Sequence, residues 1–433
     1  MLDPDGLFGL TDSFWVVLTG VLAASSCALL GTFLVLRRMS LLGDALSHAV
    51  LPGIAIAFFL SDSRGIAPMF VGAAAFGLLT TMLVEAFHRR WKVQEDASIG
   101  VVFTALFALG VVLITAYAGQ VDLDQECVLY GEIAYTPWDT LSWGDTVLGP
   151  RAVWILGAVL LLNLVFVGLC YKELVLASFD PAMAVSVGIS ASLVHYLLMG
   201  AVSLTTVAAF ESVGAILVVA MLIVPGAAAY LWSDRLRRVL SLAVLFGAGS
   251  AVGGYALAIW WDSSISGAIV VVLGGVFALS LLLAPGQGVL AKTWQRLDLS
   301  LQVAQDHVLL AMVRRSEVGG ESVWRPRELE EAAAVWRPLA RRALVQLQKR
   351  GLLVSGAAGA ELTRAGHERA LHLLRSHRLW ETYMSDLGLP ADHVHDPADA
   401  VEHFIGDQLQ RELDSEVSRR GKDPQGKEIP PRL

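Results

Sequence analysis

The sequence predicts an all-α polytopic membrane domain of eight or nine transmembrane helices, followed by a soluble and mainly helical tail. Three observations predict it. The 433 residues are 55% hydrophobic and only 17% charged, whereas a soluble domain carries about 25% charged residues. Apolar runs of about twenty residues, the length a bilayer requires, recur as far as roughly residue 284. Beyond that point Lys, Arg, Asp, Glu and His crowd the last 140 or so residues, enough for one or two small domains.

The expected spans are 14–36, 41–60, 66–87, 97–117, 152–171, 189–207, 212–231, 239–260 and 265–284. Basic clusters lie at Arg37–Arg38, His88–Arg89–Arg90, Lys172, Arg235–Arg237–Arg238 and Lys292–Arg296. With nine spans all of them fall on one face, which the positive-inside rule makes cytoplasmic. The tail is then cytoplasmic and the base-free N-terminus outside. With eight spans, the first run being peripheral, the tail keeps its side. The start, "MLDPDGLFGLTDSFW", lacks the basic region of a signal peptide. The net charge of −8 averages two unlike regions and identifies no partner. Cys27 and Cys170 lie in apolar runs and Cys127 has no obvious mate, so the three cysteines form no disulfide framework.

Small residues, as in "GAGSAVGG" at 247–254, let helices approach closely in lipid. Pro52 and Pro225 predict broken helices, tolerated where they line a cavity. Ionisable groups inside spans cost about 2.5–3.5 kcal/mol each and need a reason. Asp44 and His48 are four residues apart, hence on one helical face. A carboxylate and an imidazole so placed can hold a divalent cation, or they can form a pair that cements a helix contact. Spacing alone leaves both readings open. Glu211 is a third isolated acid near a span end, either lining the same path or sitting at the interface.

The tail reads as amphipathic helices. "LQVAQDHVLLAMVRR" (301–315) has helical apolar spacing, and "RPRELEEAAAV" with "RPLARRALVQLQKRGLLV" (337–354) reads as a helix-turn-helix that Gly351 ends. "LLVSGAAGAELT" then supplies two short extended pieces, as a wing does. Arg337, Arg341, Arg342, Lys349 and Arg350 are candidate DNA-phosphate contacts; a solvated basic face is the equal alternative. Further on, His377 and Glu381 share one helical face, and Asp399, Glu402 and His403 share another, with His395 between. Two helices each presenting a row of N and O donors signal a divalent-cation site.

Two resemblances extend this reading. "LVLRRMSLLGDALSHAVLPGIAIAF" resembles the signature of the permeases of ATP-binding-cassette importers for manganese, zinc and iron, the ABC-3 family. So, in order, do "YKELVLASFDPAMAVSVG" (171–188), "VGAILVVAMLIVPGAAAYL" (213–231) and "SGAIVVVLGGVFALSLLLAP" (266–285). The resemblance implies a pore shared with a second permease subunit, with Asp44 and His48 in the translocation path. It also implies an extracytoplasmic metal-binding protein and a separate cytoplasmic ATP-binding subunit. That subunit would dock on 174–188, with Asp180–Pro181, or on 231–240. "GQGVLAKT" (286–293) is no phosphate loop, since Ala291 replaces the second glycine and a span replaces the strand.

The segment 376–404, with "DPQGKEIP" (423–430), resembles the metal-dependent repressors of the diphtheria-toxin-repressor family. These have a winged helix followed by a helical metal-binding and dimerisation domain. Matched by position, His377, Glu381, His395, Asp399, Glu402 and His403 fall on that family's ligand positions, and Asp306 on its N-terminal one. Asp399 replaces the cysteine of iron-responsive members, and Leu309 stands where manganese sensors have an acid. Oxygen and imidazole donors without thiolate favour Mn²⁺ or Fe²⁺; Leu309 leaves the selectivity open.

The expected organisation is a permease domain at 1–290, a winged helix at 300–365 and a metal-binding and dimerisation domain at 366–433. The expected function is a non-enzymatic permease subunit in a bacterial inner membrane, moving manganese first, then iron or zinc. Its tail would regulate transport, or would bind DNA and regulate transcription. The rivals are a membrane-tethered metal-dependent repressor whose spans act mainly as an anchor, and an ion-coupled carrier.

Overall fold

The computed structural model describes residues 4–61, 66–117, 132–143, 146–319, 323–356, 359–390, 393–417 and 421–432. Cys127 lies outside them. The chain divides into two compact units, Met1–Ala291 and Lys292–Leu433.

In the first unit, nine helical segments among the described residues are long and apolar enough to cross a bilayer. They are α1 (Pro4–Leu36), the pair α2 (Leu41–Ala49) and α3 (Leu51–Ser61), α4 (Ile66–Trp91), α5 (Glu95–Tyr117) and α6 (Arg151–Leu169). After two short helices, α7 (Tyr171–Phe179) and α8 (Pro181–Ser186), come α9 (Ala191–Val213), α10 (Ala215–Trp232), α11 (Leu236–Trp261) and α12 (Ile265–Leu283). The first run thus forms a helix of spanning length, in keeping with the nine-span reading among the described residues. Between α5 and α6 stands a hairpin of β1 (Thr140–Trp143) and β2 (Thr146–Pro150).

The two prolines behave differently. α2 and α3 form one crossing interrupted at Val50, two residues before Pro52; proline lacks the N–H that would continue the ladder. Pro225, expected to break its helix, lies inside an uninterrupted α10. Neighbouring helices can take up the backbone group a proline frees. Gly226 beside it lets α10 close on α1, where an added Cβ would stand 3.0 Å from Thr32 Cα.

α1 is the hub of this unit. It packs against α6, α9, α10 and α11, and 78% of its apolar window is buried, against 22% for α5, α6 and α12. α2 to α5 form a second group, joined to the hub through α9 and α10. Small residues make these contacts. A Cβ on Gly254 of α11 would fall 2.4 Å from Ile269 Cα of α12, so the "GAGSAVGG" stretch serves packing within the chain. Only Gly214 separates α9 from α10, at φ +85°, a conformation glycine adopts without a Cβ penalty.

In the second unit, α13 (Val289–Glu317), from Lys292 onward, packs with α14 (Pro326–Ala332), α15 (Arg337–Lys349) and the hairpin of β3 (Leu353–Gly356) and β4 (Gly359–Leu362). Gly351, at φ +69°, follows α15 and turns the chain into the hairpin. The helix-turn-helix and wing elements are therefore formed. Residues 284–288 are a turn between α12 and α13 with no strand before them, as the failed phosphate-loop pattern implies.

α16 (Arg364–Asp386) starts where the Thr363 hydroxyl accepts from Gly366 N at 3.0 Å, an N-cap worth about 1 kcal/mol. Its first half gives Ala370, Leu373 and Leu374 to the winged-helix core. Its second half gives Leu379 to a cluster with Ile405, Leu413 and Val417. One helix therefore serves both cores. α17 (His395–Val401) and α18 (Asp407–Val417) complete this part. Arg378, buried on α16, donates to both Glu317 oxygens at 3.0 and 2.6 Å and to the Glu428 carbonyl at 2.6 Å, with Asp423 at 3.4 Å.

Candidate metal sites

The break at Val50 leaves α2 a short half-helix, and on it Asp44 Oδ1 and His48 Nε2 stand 3.9 Å apart. That is too long for a hydrogen bond and suits an ion or water between them. Asp44 is 53% exposed, so its charge is not sealed inside protein. The His48 ring lies between Phe103 and Phe107 of α5, with centroids at 6.1 and 5.4 Å. Among the described residues no third Asp, Glu, His or Cys joins the pair in a ligand-sized group. Glu211 is elsewhere: it sits at the end of α9 next to Gly214, and its charged neighbours are Arg151 and Asp139.

The first unit also holds a polar cluster that spacing did not reveal. Buried Glu85 of α4 lies 3.2 Å from buried His195 of α9. Arg37, just past α1, reaches His195 Nδ1 at 3.4 Å and donates to Ser178 of α7 at 2.9 Å. The partners are far apart in sequence, so no local pattern signalled them. The isolated acid and imidazole within apolar runs were the available cue.

In the tail, α16, α17 and the single turn at Glu402–Phe404 bring the predicted donors together. Glu381 Oε1, His377 Nε2 and His395 Nδ1 form a triangle with sides of 3.0, 2.8 and 3.2 Å. Donors around an ion at about 2.1 Å stand about 3 Å apart, so this trio fits a divalent cation. The other face of His377 turns Nδ1 to Glu402 Oε2 at 2.6 Å and to Asp399 at 3.4 Å. Asp399 also meets Arg314 at 3.4 Å. Asp306 is set on His403 Nδ1 at 3.3 Å and on Arg369 at 3.8 Å. The buried His403 Nε2 makes no hydrogen bond, as a donor atom kept for a cation would not. The residues thus fit a metal ion.

Electrostatics link this cluster to pH. Burial works against a charge on His377, but hydrogen bonds to Glu381 and Glu402 outweigh it and push the pKa up to about 9. Burial would raise Glu381, yet hydrogen bonds from His377 and His395 hold it below the usual carboxylate range. The His377 contribution, on the order of 3 kcal/mol, is complete below its ordinary pKa of 6.5 and disappears as pH rises through about 9. The Glu381 contribution is present above its ordinary 4.5 and is lost as pH falls through its lowered value. In chelator, hydrogen-exchange protection of α16 in the whole protein, corrected for intrinsic rate, should therefore peak between these two ordinary values and fall toward pH 9. Metal must displace the His377 proton, so affinity should climb about tenfold per pH unit over that range. Protection flat across it would refute the pairing.

The five basic residues are exposed on or just past α15. Arg341 is engaged by Glu330 at 2.8 Å and Arg350 by Gln305 at 3.0 Å. Arg337, Arg342 and Lys349 extend from the same exposed surface.

Comparison with known proteins decides the family. The profile of the ABC 3 transport family matches residues 12–284, well over half of the chain. The chain belongs to the ABC 3 transport family. A second profile, the iron dependent repressor metal binding and dimerisation domain, matches residues 363–431. This ABC 3 chain is 52% identical over 290 residues to the manganese transport system membrane protein MntD of Bacillus subtilis, covering 67% of this chain and 98% of that protein. It is 41% identical over 362 residues to the zinc transport system membrane protein TroD of Treponema pallidum, covering 81% and 97%. That stretch exceeds the 291 residues of the membrane unit, so the likeness enters the tail. In structure it resembles PsaBC from Streptococcus pneumoniae in complex with Fab, at 32% identity and a TM-score of 0.54, covering 65% of this chain and 95% of that one. It is thus a membrane permease with a repressor-like metal-binding domain attached.

Proposed function

We propose that this permease subunit imports a divalent transition metal, manganese first, then iron or zinc, and that its cytoplasmic tail senses the same class of ion. The observation that carries the transport reading is 52% identity to a manganese permease across nearly all of that protein. Asp44 and His48 are the residues proposed to receive the cargo. In passage the ion exchanges some of its water for one carboxylate and one imidazole. Two protein ligands suffice to select it and are too few to retain it, and the remaining positions fall to water or to a second permease subunit. Glu211, beside the extracytoplasmic hairpin, fits an entrance role.

ATP is hydrolysed by a separate cytoplasmic subunit. Its proposed seat is α7–α8, which ends in exposed Phe179, Met183, Val185 and Val187 around the Asp180 cap. The alternative at 231–240 adjoins it, since Arg237 there stacks 5.3 Å over Tyr171 at the start of α7. An extracytoplasmic binding protein delivers the ion. The basic clusters support a cytoplasmic tail. In that tail, His377, Glu381 and His395 would hold one ion, with Asp399, Glu402 and His403 beside them. A bound ion would supply positive charge in place of the His377 proton, held between His377 and Glu381 of α16 and His395 of α17. The tail then biases the permease between conformations, or presents Arg337, Arg342 and Lys349 to DNA.

The test is uptake of ⁵⁴Mn²⁺, with Fe²⁺ and Zn²⁺ competitors, in cells expressing the whole transporter. Uptake should fall to background with Asp44→Ala/His48→Ala. It should lose its repression by internal metal when the chain ends near residue 294. Normal uptake by the double variant would remove the ligand assignment. No transport by the natural protein would leave a tethered repressor, which metal-dependent DNA binding by the tail would identify.

A further inference from the structure

The buried cluster around His195 joins four elements of the first unit. Arg37 stands just past α1, Glu85 on α4, Ser178 on α7 and His195 on α9. Arg37 Nε donates to Ser178 Oγ at 2.9 Å, and that hydroxyl gives its own proton to the Leu174 carbonyl at 2.6 Å. Arg37 Nη1 meets His195 Nδ1 at 3.4 Å. A guanidinium can only donate, so Nδ1 accepts and the ring proton sits on Nε2, which faces Glu85 at 3.2 Å. The imidazole thus stands as a relay between a cation and a carboxylate.

The cluster lies at the end of the spans that carries Arg37–Arg38 and His88–Arg89–Arg90, the end where the ATPase seat on α7–α8 is proposed. From there α9 runs back through the unit, packing on α1, α2, α4 and α7. Eight residues before Glu85, Gly77 closes α4 on its neighbours. An added Cβ there would collide with Ser203 Oγ of α9 and lie 3.7 Å from Leu46. Leu46 stands between Asp44 and His48 on the α2 half-helix. The α4–α9 seam therefore has the charge relay at one level and the cargo-bearing half-helix at another.

We infer that Arg37, His195 and Glu85 form the link through which the ATPase seat on α7 moves α4 and α9 against the half-helix carrying Asp44 and His48. The inference rests on the transport reading of this unit. Arg37, His195 and Glu85 act in it as positioning residues, since none of them joins the Asp44–His48 pair in a ligand-sized group. Two features favour a moving link over fixed cement. The tie to α7 is one hydrogen bond to a hydroxyl, and the tie to His195 is long, so neither end is locked. Two buried nitrogens of the cluster, Arg37 Nη2 and His195 Nε2, make no hydrogen bond within the protein. A buried polar network that is partly satisfied gains from a second arrangement. Glu85 is near enough to interact electrostatically with Arg37, so a shift of α7 would let Arg37 exchange Ser178 for Glu85 and release the His195 ring.

The test uses the assembled transporter in proteoliposomes, with its ATP-binding subunit and with ⁵⁴Mn²⁺ supplied on the binding protein. The readout is uptake per ATP hydrolysed. Ser178→Ala and Glu85→Gln should each lower that ratio at least about fivefold, with hydrolysis continuing and the assembly still monodisperse. Ser178 and Glu85 sit on different helices and are joined here through Arg37 and His195, so the double variant should be no worse than the poorer single one. Independent packing roles would multiply the two losses instead. Arg37→Lys keeps the charge but cannot hold Ser178 and His195 together; it should match Ser178→Ala, and it replaces Glu85→Gln if that variant does not assemble. If the single variants keep the natural ratio, or the losses multiply, the cluster is packing and the inference fails. If the natural transporter neither takes up Mn²⁺ nor hydrolyses ATP in response to it, the transport reading fails and the inference with it.

Discussion

Gly31→Ala is expected to abolish the folded membrane unit. An alanine Cβ on α1 at this position would lie 1.8 Å from the Leu222 carbonyl oxygen of α10 and 2.6 Å from its carbonyl carbon. Both obstacles are backbone, so no rotamer change relieves them, and the hub helix must separate from α10. Overpacking typically costs 1–3 kcal/mol where side chains can yield; here the cost should be at least ~3 kcal/mol, a large fraction of a typical total stability. In lipid, where close packing stands in for the hydrophobic effect, little offsets it. Fluorescence-detected chromatography after heating should show loss of the monodisperse peak for Gly31→Ala. Gly249→Ala, on α11 with open space around it, should match the natural protein or slightly exceed it. Equal melting of the two variants would refute the α1–α10 contact.

The second large effect is expected in the tail. Arg378→Met removes a guanidinium that is 4% exposed and leaves Asp423, also buried, without its cation. Breaking a buried charge pair by removing one partner costs roughly 3–5 kcal/mol. The lower end applies, because Glu317 remains about one-third exposed and can be solvated. Lost with it is the tie to the Glu428 carbonyl, which helps hold the C-terminal segment against α16. The segment keeps a second anchor in Arg375, which contacts Asp414 and the Pro430 carbonyl. Proteolysis of the whole protein in chelator should cut after residue 292 many times faster in the variant, while the spans stay protected. Arg378→Met/Asp423→Asn should recover part of the loss. An unchanged cutting rate would mean that the buried pairs contribute little.

Much of the architecture was readable because its signals are local. A span is a long apolar run, and the nine expected runs are nine helices of spanning length among the described residues. Gly351 and the alternation after it announced the helix-turn-helix and its hairpin. His377 and Glu381 share a face because α-helical geometry brings i and i+4 together, whereas the helix expected to carry Asp399, Glu402 and His403 ends at Val401 and Glu402 and His403 follow in a tighter turn. What escaped depends on distant contacts. Glu85 and His195 meet across 110 positions of sequence and Arg37 and His195 across 158, which no periodicity encodes. Pro225 read as a break, yet a proline's local cost yields to the helices packed around it. Glu211 was grouped with Asp44 and His48 only because all three are ionisable.

The unequal burial of the spans bears on the bilayer this protein fits. α6 and α12, which with α5 are the least buried of the spans, are 19 residues each, or about 28 Å at 1.5 Å per residue. That is slightly under a typical hydrocarbon thickness of ~30 Å. The longer α1 meets protein over most of its length and is released from this matching. Acyl-chain length therefore acts on the rim of the molecule. A thicker bilayer strains α6 and α12 first, whereas the half-helix carrying Asp44 and His48 belongs to a span more buried against its neighbours.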